Sequence, residues 1–263
     1  MAGVYWKARC AGHKEESYLN QKKDTHFGYE TIAKKDKSEK VGAVFNSVAT
    51  NYDLMNNIMS MGLHHLWKSI LIETTPLKNN AKILDIAAGT ADISIEFLNK
   101  NKSFEIFHTD INLAMLKEGK KKLINQGKIS PSILCDAEAL PFPNNYFDCV
   151  IIGFGLRNMT NKEKALKEIY RVLCPGGKLV ILEFSKIWSP LRKIYDEFSF
   201  KIVPKLGKFF AKDEESYQYL VESIRMHPDQ KKMVELLKSG GFERTSFMNL
   251  SAGIVAIHKG YKL

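Results

Sequence analysis

Residues 82–92 read KILDIAAGTAD. Ile83, Leu84 and Ile86 form a short apolar run interrupted by one acid, Asp85. Gly89 then supplies a tight turn, and Ala91 and Asp92 open a helix. Strand, turn and helix in that order form the unit from which parallel α/β sheets are built. A dinucleotide site at such a turn needs G-x-G-x-x-G, with the helix N-terminus facing a pyrophosphate. Here a single glycine stands between two acids, Asp85 and Asp92. Carboxylates repel a pyrophosphate and suit a ligand that carries a cationic amine and a sulfonium.

The alternation continues downstream. Strands are expected at 104–109, 132–135, 147–152 and 178–183, and helices at about 91–99 and 113–125. Nearly every residue of 147–152 is apolar, as in a strand buried on both faces. The next helix opens on Thr160-Asn161-Lys162-Glu163, a capping-box pattern, and carries Ala165, Leu166, Ile169, Val172 and Leu173 as its stripe. Pro175-Gly176-Gly177 stops it. A last helix at 229–239 ends on Gly240-Gly241, and strands at 243–249 and 253–258 follow. The expected fold is α/β: a mostly parallel sheet with helices on both faces.

Upstream, 41–71 reads as helical from Val44, Val48, Met55, Ile58 and Met59. Residues 1–40 form a polar, lysine-rich extension. Lys7, Arg9 and Lys14 precede the first acid, which makes a targeting segment one reading and a structureless tail the other. The expected organisation is therefore one domain, 41–263, with a helical insertion at about 186–226. No run reaches the ~18 apolar residues of a spanning helix. Cys10, Cys135, Cys149 and Cys174 lie far apart, with no C-x-x-C spacing, so no metal site is expected. The chain carries a net charge of +10, and 186–212 holds seven basic residues against two acids, interleaved with Phe198, Phe200, Ile202, Val203, Leu206, Phe209 and Phe210. Such a mixture suits an anionic membrane surface or a nucleic-acid backbone; an ordinary helical lid is the plain alternative.

In an open α/β sheet, ligands bind at the carboxyl ends of the strands. Gly89 and Thr90 end the first strand. Asp110 stands about 20 residues past the glycine turn, where an acid accepts hydrogen bonds from ribose hydroxyls. Asp136 and Ala137 can offer a carboxylate and an N–H to an adenine edge. The fourth strand ends in GFGLRNMT, 153–160. Gly153 and Gly155 allow close backbone approach, and Arg157 and Asn158 are expected to stand over an acceptor. Tyr52 and His227 are further candidates for orientation or acid–base work, ahead of His64 and His65.

The runs HFGYETI (26–32), VFNSVATNYDLMNNIMSMGLHHLWK (44–68), DAEALPFP (136–143), FGLRN (154–158), YRVLCPGGKLVILEFSK (170–186), SYQYLVESIRMHPDQ (216–230) and AGIVAIHKGYK (252–262) resemble the UbiE-type C-methyltransferases of ubiquinone and menaquinone biosynthesis. The pairing of FGLRN with SIRMHPDQ is the specific part, and coverage is nearly continuous from His26. The resemblance implies a class I S-adenosylmethionine-dependent methyltransferase (Rossmann-like) fold with a seven-stranded sheet, the last strand antiparallel. It implies cofactor contacts at Thr90, Asp110, Asp136 and Ala137, with Asp85 and Gly89 shaping the pocket. It implies as acceptor a polyprenylated methoxy-benzoquinol methylated on a ring carbon, with a menaquinone-pathway naphthoquinol as the alternative. A peripheral place on the matrix side of the mitochondrial inner membrane, other ubiquinone-synthesis enzymes and a homodimer follow as expected surroundings; a bacterial-type cytoplasmic protein is the alternative. Nucleic acid is not expected as a partner. The family turn is usually Gly-Gly-Thr-Gly-Asp, whereas this chain has Ala88 and Ala91 at two of its glycines. The change is costly where φ must be positive and harmless if Ala91 is the first helical residue.

Carbon methylation needs a carbon nucleophile. A neutral quinone ring is electron-poor, whereas a quinol that loses a phenolic proton pushes charge onto its ring carbons. Arg157 is the expected partner of that phenolate, with Asn158 orienting the acceptor and a water beside Arg157 as proton carrier, since a guanidinium is a poor base. The rival readings are a methyltransferase acting on RNA, from the basic charge, and a non-enzymatic scaffold, from the altered turn.

Overall fold

The computed structural model describes residues 24–202, 204–205 and 214–263. Of the extension expected at 1–40, with a targeting segment as one reading, residues 1–23 lie outside the described residues, as do Val203, Leu206, Phe209 and Phe210 of the basic insertion.

The described chain opens with a hairpin, β1 (Asp24–Phe27) and β2 (Glu30–Ala33), paired antiparallel. Gly28 turns it at φ +57°, where an added Cβ would collide with the Glu222 carboxylate. Each strand has only four residues, too few for alternation to stand out in a polar sequence. Helix α1 (Lys34–Val48) follows at once, so it starts ahead of the expected 41. The run 34–40 has no apolar residue to reveal a helical stripe, yet Lys37 is buried one turn before Val41. Helices α2 (Tyr52–Ser60) and α3 (Leu63–Glu73) complete the N-terminal layer.

The body is β3 (Lys82–Ile86), α4 (Asp92–Lys100), β4 (Glu105–Asp110), α5 (Leu113–Asn125), β5 (Ser132–Leu134), β6 (Phe147–Gly153), α6 (Lys162–Val172) and β7 (Leu173–Phe184). The insertion adds α7 (Arg192–Glu197), a π turn at Phe198–Ile202 and α8 (Glu214–Met226). Then come α9 (Gln230–Ser239), β8 (Glu243–Leu250) and β9 (Val255–Tyr261). The seven strands run in the order β5-β4-β3-β6-β7-β9-β8. The first five are parallel, and β9 is antiparallel to both its neighbours.

Two boundaries moved from expectation. The helix stops at Val172, and the strand absorbs Pro175-Gly176-Gly177 instead of starting after it, with Gly176 at φ +82°. The final strand begins at Val255 because Ser251, Ala252 and Gly253 all turn through positive φ.

Apolar layers fill both faces of the sheet. Trp67, Leu71, Phe97 and Phe104 pack with Ile83 and Ile151 on one face. Leu166, Ile169, Leu237 and Phe242 pack with Leu84 and Ile152 on the other. A smaller cluster joins Val41, Val48 and Met55 to Tyr217, Tyr219 and Leu220, so α1 and α2 are fixed to α8 as a roof over the strand ends. β3 pairs with β4 on one side and β6 on the other. The chain therefore reverses direction of sheet growth at β3, which opens a crevice at that point.

Candidate functional site

A cavity of about 330 Å3 occupies this crevice. That is at the lower end of the range for small-molecule sites, ~300–1,000 Å3. Gly89, Asp110, Asp136 and Ala137 line it from the strand ends. Tyr52 and Asn158 line it from α2 and the loop after β6, with Met115 and Phe154 as apolar walls. Six of the expected site residues are thus brought together.

Asp110 is the best-held of them. Its Oδ2 accepts the Gly89 N–H at 2.9 Å and its Oδ1 the Asn112 N–H at 2.8 Å. Burial raises its pKa, and those N–H groups work against the rise. Gly89 sits at φ +54°, with Met115 Cε 3.1 Å from where a Cβ would be. His108 Nε2 lies 3.0 Å from the Gly89 carbonyl, and Gly119 lets α5 approach the same carbonyl closely. The turn is therefore held from below by side chains the sequence reading did not single out. Ala91 adopts φ +65° as the N-cap of α4, so the helix begins at Asp92 and this alanine sits in the left-handed region. Ala87 is there too, at φ +52°, whereas Ala88 is not. Of the two missing family glycines, only the one at 91 strains the backbone.

The loop carrying Asp136 and Ala137 is tied by α6. Asp136 Oδ1 accepts the Glu138 N–H at 2.8 Å. Arg171 donates from Nη1 to the Phe142 carbonyl and from Nη2 to the Leu140 carbonyl, at 2.8 and 2.9 Å. Arg171 sits a helix away in sequence, which is why Leu140, Pro141 and Pro143 alone do not reveal the lock. Tyr52 has its pKa pushed up to about 12, chiefly by burial, so its hydroxyl stays protonated and is no base near neutral pH. Asn158 Oδ1 accepts the Tyr219 hydroxyl at 3.0 Å. The roof adds Lys34, Lys35, Ser38, Gly42 and Phe45 of α1, at helical spacing; the first three fall in the extension expected at 1–40.

Four expected residues lie elsewhere. Asp85 is beneath the turn, where the Ser94 hydroxyl donates to its Oδ2 at 2.6 Å and burial pushes its pKa up to about 7. Thr90 faces away, 3.4 Å from Asp53, into a second groove beside Lys121 and Lys122. His227 is buried behind the wall and does not reach the large cavity. Arg157 is the main correction. Its Nη1 donates to Glu183 Oε1 at 2.9 Å and to the Phe154 carbonyl, and its Nε to the Ser223 hydroxyl at 3.3 Å. Glu183 is wholly buried, so the guanidinium is spent on neutralising it. Asp92, the second acid of the opening motif, is likewise taken up by Lys68 and Lys122 at 2.5 and 2.6 Å.

Among the described residues no cluster of three His, Cys, Asp or Glu is placed to hold a metal ion. Nor is any helix among them long and apolar enough to cross a membrane.

Comparisons with known proteins bear on the fold and the family. Solved structures share the fold at low identity. A SAM-dependent methyltransferase from Aquifex aeolicus matches at TM-score 0.55 and 14% identity, over 74% of this chain and 89% of that one. The [4+2]-cyclase SpnF matches at TM-score 0.62 and 17% identity, over 84% and 94%. One fold thus serves different reactions, and sequence must narrow the choice. The ubiquinone/menaquinone biosynthesis C-methyltransferase UbiE of Paraburkholderia phymatum is 53% identical over 239 residues, 90% of this chain and 98% of that protein. The model of the ubiE/COQ5 methyltransferase family matches residues 33–262, the hairpin's end through β9. This chain belongs to the ubiE/COQ5 methyltransferase family.

Proposed function

We propose that the chain transfers a methyl group from S-adenosylmethionine to a ring carbon of a polyprenylated methoxy-benzoquinol. Dependence on S-adenosylmethionine and a place in quinone biosynthesis follow from the family. The observation that carries the reading is the cavity itself. Its Gly89 backbone is bare and held by a buried carboxylate, and its acids, Asp110, Asp136 and Glu138, suit a cationic ligand. Gly89, Asp110, Asp136 and Ala137 would hold the cofactor, which when bound supplies an electrophilic methyl group. Tyr52, as a permanent hydroxyl donor, and Asn158 would orient the acceptor. Phe45, Met115 and Phe154 exclude water, which strengthens every polar contact made there.

The polyprenyl tail needs an apolar path and a membrane. The insertion leaves Trp188 64% exposed, with Leu191 and Ile202 also exposed, beside Arg192, Lys193 and Lys201. This supports peripheral contact with an anionic bilayer. A matrix-side mitochondrial setting belongs to the same proposal and rests on the basic residues before His26; neighbouring ubiquinone-synthesis enzymes and a homodimer are proposed from the family resemblance alone.

The test uses labelled S-adenosylmethionine with a short-tailed methoxy-benzoquinol lacking the ring methyl, reduced and oxidised, and a naphthoquinol in parallel. Methylation of the reduced benzoquinol alone is expected. Product from the naphthoquinol only would overturn the acceptor, and equal product from the oxidised ring would overturn the quinol chemistry.

A further inference from the structure

With Arg157 neutralised, the site needs another positive group for a phenolate. Next to the cavity's Asn158, Met159 and Thr160, Arg157 lines a second chamber of about 60 Å3. It opens between β1 and the end of α8, at His26 and Met226. Its lining includes Lys37, Lys162, Arg157 and His227, and no carboxylate. Lys37 is 4% exposed. Its ammonium donates to the Met159 carbonyl at 3.3 Å, and Lys162 reaches the same carbonyl at 3.4 Å. Among the described residues neither lysine has an ion-pair partner within 4 Å. His227 is 5% exposed, and among the described residues nothing hydrogen-bonds to either of its ring nitrogens. A buried lysine, a half-buried one and an unpartnered imidazole facing one small space form a site that lacks an anion.

We propose that this chamber seats the acceptor's phenolic oxygen and that Lys37 takes its proton. The phenolic O–H bond breaks, an N–H bond forms on the neutral Lys37 amine, and the resulting ammonium holds the phenolate. The proposal rests on the quinol reading above.

Size supports it: the chamber has room for about two waters, at ~30 Å3 each, and so for the oxygen end of a ring. Position supports it: Tyr219, which lines the chamber, donates to Asn158, which lines the large cavity. Arg157 lines the chamber, and the next residue, Asn158, lines the large cavity. Charge supports it as well. Burial, helped by Lys162, lowers the Lys37 pKa to about 8, so a fraction of the amine is free near neutral pH. Burial lowers Lys162 too, against Glu183 and Glu138, and Glu138 also opposes the shift of Lys37; both carboxylates lie outside the lining. The remaining groups facing the chamber add no negative charge. His227 is held neutral, Tyr219 is pushed up to about 12, and Arg157 is paired with Glu183.

The test uses 4-nitrophenol, whose phenolate absorbs visibly, and the full chain with and without Lys37→Gln, Lys37→Arg or Lys162→Gln. Calorimetry of S-adenosylmethionine binding checks that each variant keeps its cofactor site. Wild type is expected to lower the bound probe's pKa by about one unit, the low end for an opposite charge within ~4–6 Å. Lys37→Gln abolishes the shift. Lys37→Arg keeps it but loses turnover about 100-fold or more, because a guanidinium holds a phenolate and accepts no proton. An unshifted probe in wild type, or an equal shift in Lys37→Gln, overturns the proposal. So does Lys37-dependent binding of inorganic phosphate without binding of the probe, which would make the chamber a free-oxyanion site. A shifted probe with no quinol methylated would leave the seat standing and remove the functional reading instead.

Discussion

Replacing Arg157 with Met tests whether this residue is structural. The guanidinium is buried with Glu183, and its loss leaves a carboxylate with no solvent and no counter-charge. Breaking a buried pair from one side costs about 3–5 kcal/mol. For a chain of this size each kcal/mol lowers Tm by roughly 2–4 °C, so the expected fall is about 6–20 °C. The diagnostic variant adds Glu183→Gln. Glutamine removes the charge and keeps one acceptor oxygen, enough for one of the two N–H groups, of Arg157 and Phe184, that now reach separate Glu183 oxygens at 3.2 and 3.0 Å. The double variant should therefore recover part of the loss, to within about 1–3 kcal/mol of wild type, the remainder being the lost Arg157 side-chain hydrogen bonds and the one N–H left facing the amide nitrogen. Urea unfolding gives the stabilities, and calorimetry gives S-adenosylmethionine affinity, expected to stay within about threefold in the double variant. A loss below ~1 kcal/mol for Arg157→Met, or no recovery on adding Glu183→Gln, would refute the argument.

Ala91→Gly should be neutral or stabilising by up to about 1 kcal/mol, since release of ~1–2 kcal/mol of left-handed strain is offset by a lost buried methyl, while Ala88→Gly should destabilise by about 0.5–1 kcal/mol; thermal melts compare them. Asp110→Asn should weaken cofactor binding at least about tenfold by calorimetry, because a carboxylate that accepts two N–H bonds of the turn becomes an amide with one acceptor oxygen. His64 and His258 have folded pKa values lowered to about 4 by burial, below the unfolded value. The unfolded chain therefore binds protons first, so stability present above about pH 6.5 is lost as pH falls toward 4; His258→Gln should flatten part of that slope in urea titrations. Asp92 shows the same sign lower down. Held at about 2 by Lys68 and Lys122, it gives up its contribution between about pH 4 and 2, and Lys68→Met should remove that step.

The sheet was legible because its signals are local: apolar runs such as 147–152 between glycine turns can hardly be anything else. The strand-end lining of the large cavity was legible for a related reason, since Gly89, Asp110 and Asp136 stand at ends that the alternation already locates. The surroundings of Arg157 were not. Whether Arg157 meets a ligand or Glu183 depends on a strand 26 residues away, and nothing in FGLRN records it. Lys37 was hidden for the opposite reason. It lies in KKDKSEK, which reads as a solvated tail until tertiary packing buries one lysine of the run.

The strand β9 follows β8 in sequence but lies inside the sheet, between β7 and β8. Until β9 is inserted, β8 has no partner and β7 is an open edge. A ribosome that has released everything up to residue 250 has therefore made a sheet that cannot yet close. Both of its exposed edges invite pairing with other chains. Completion of the fold, and with it the burial of His258 and the seating of the Lys262 amine on the Tyr170 and Leu173 carbonyls, must wait for the chain beyond residue 255. Premature termination in this short stretch would cost the cell an aggregating product rather than a shortened enzyme.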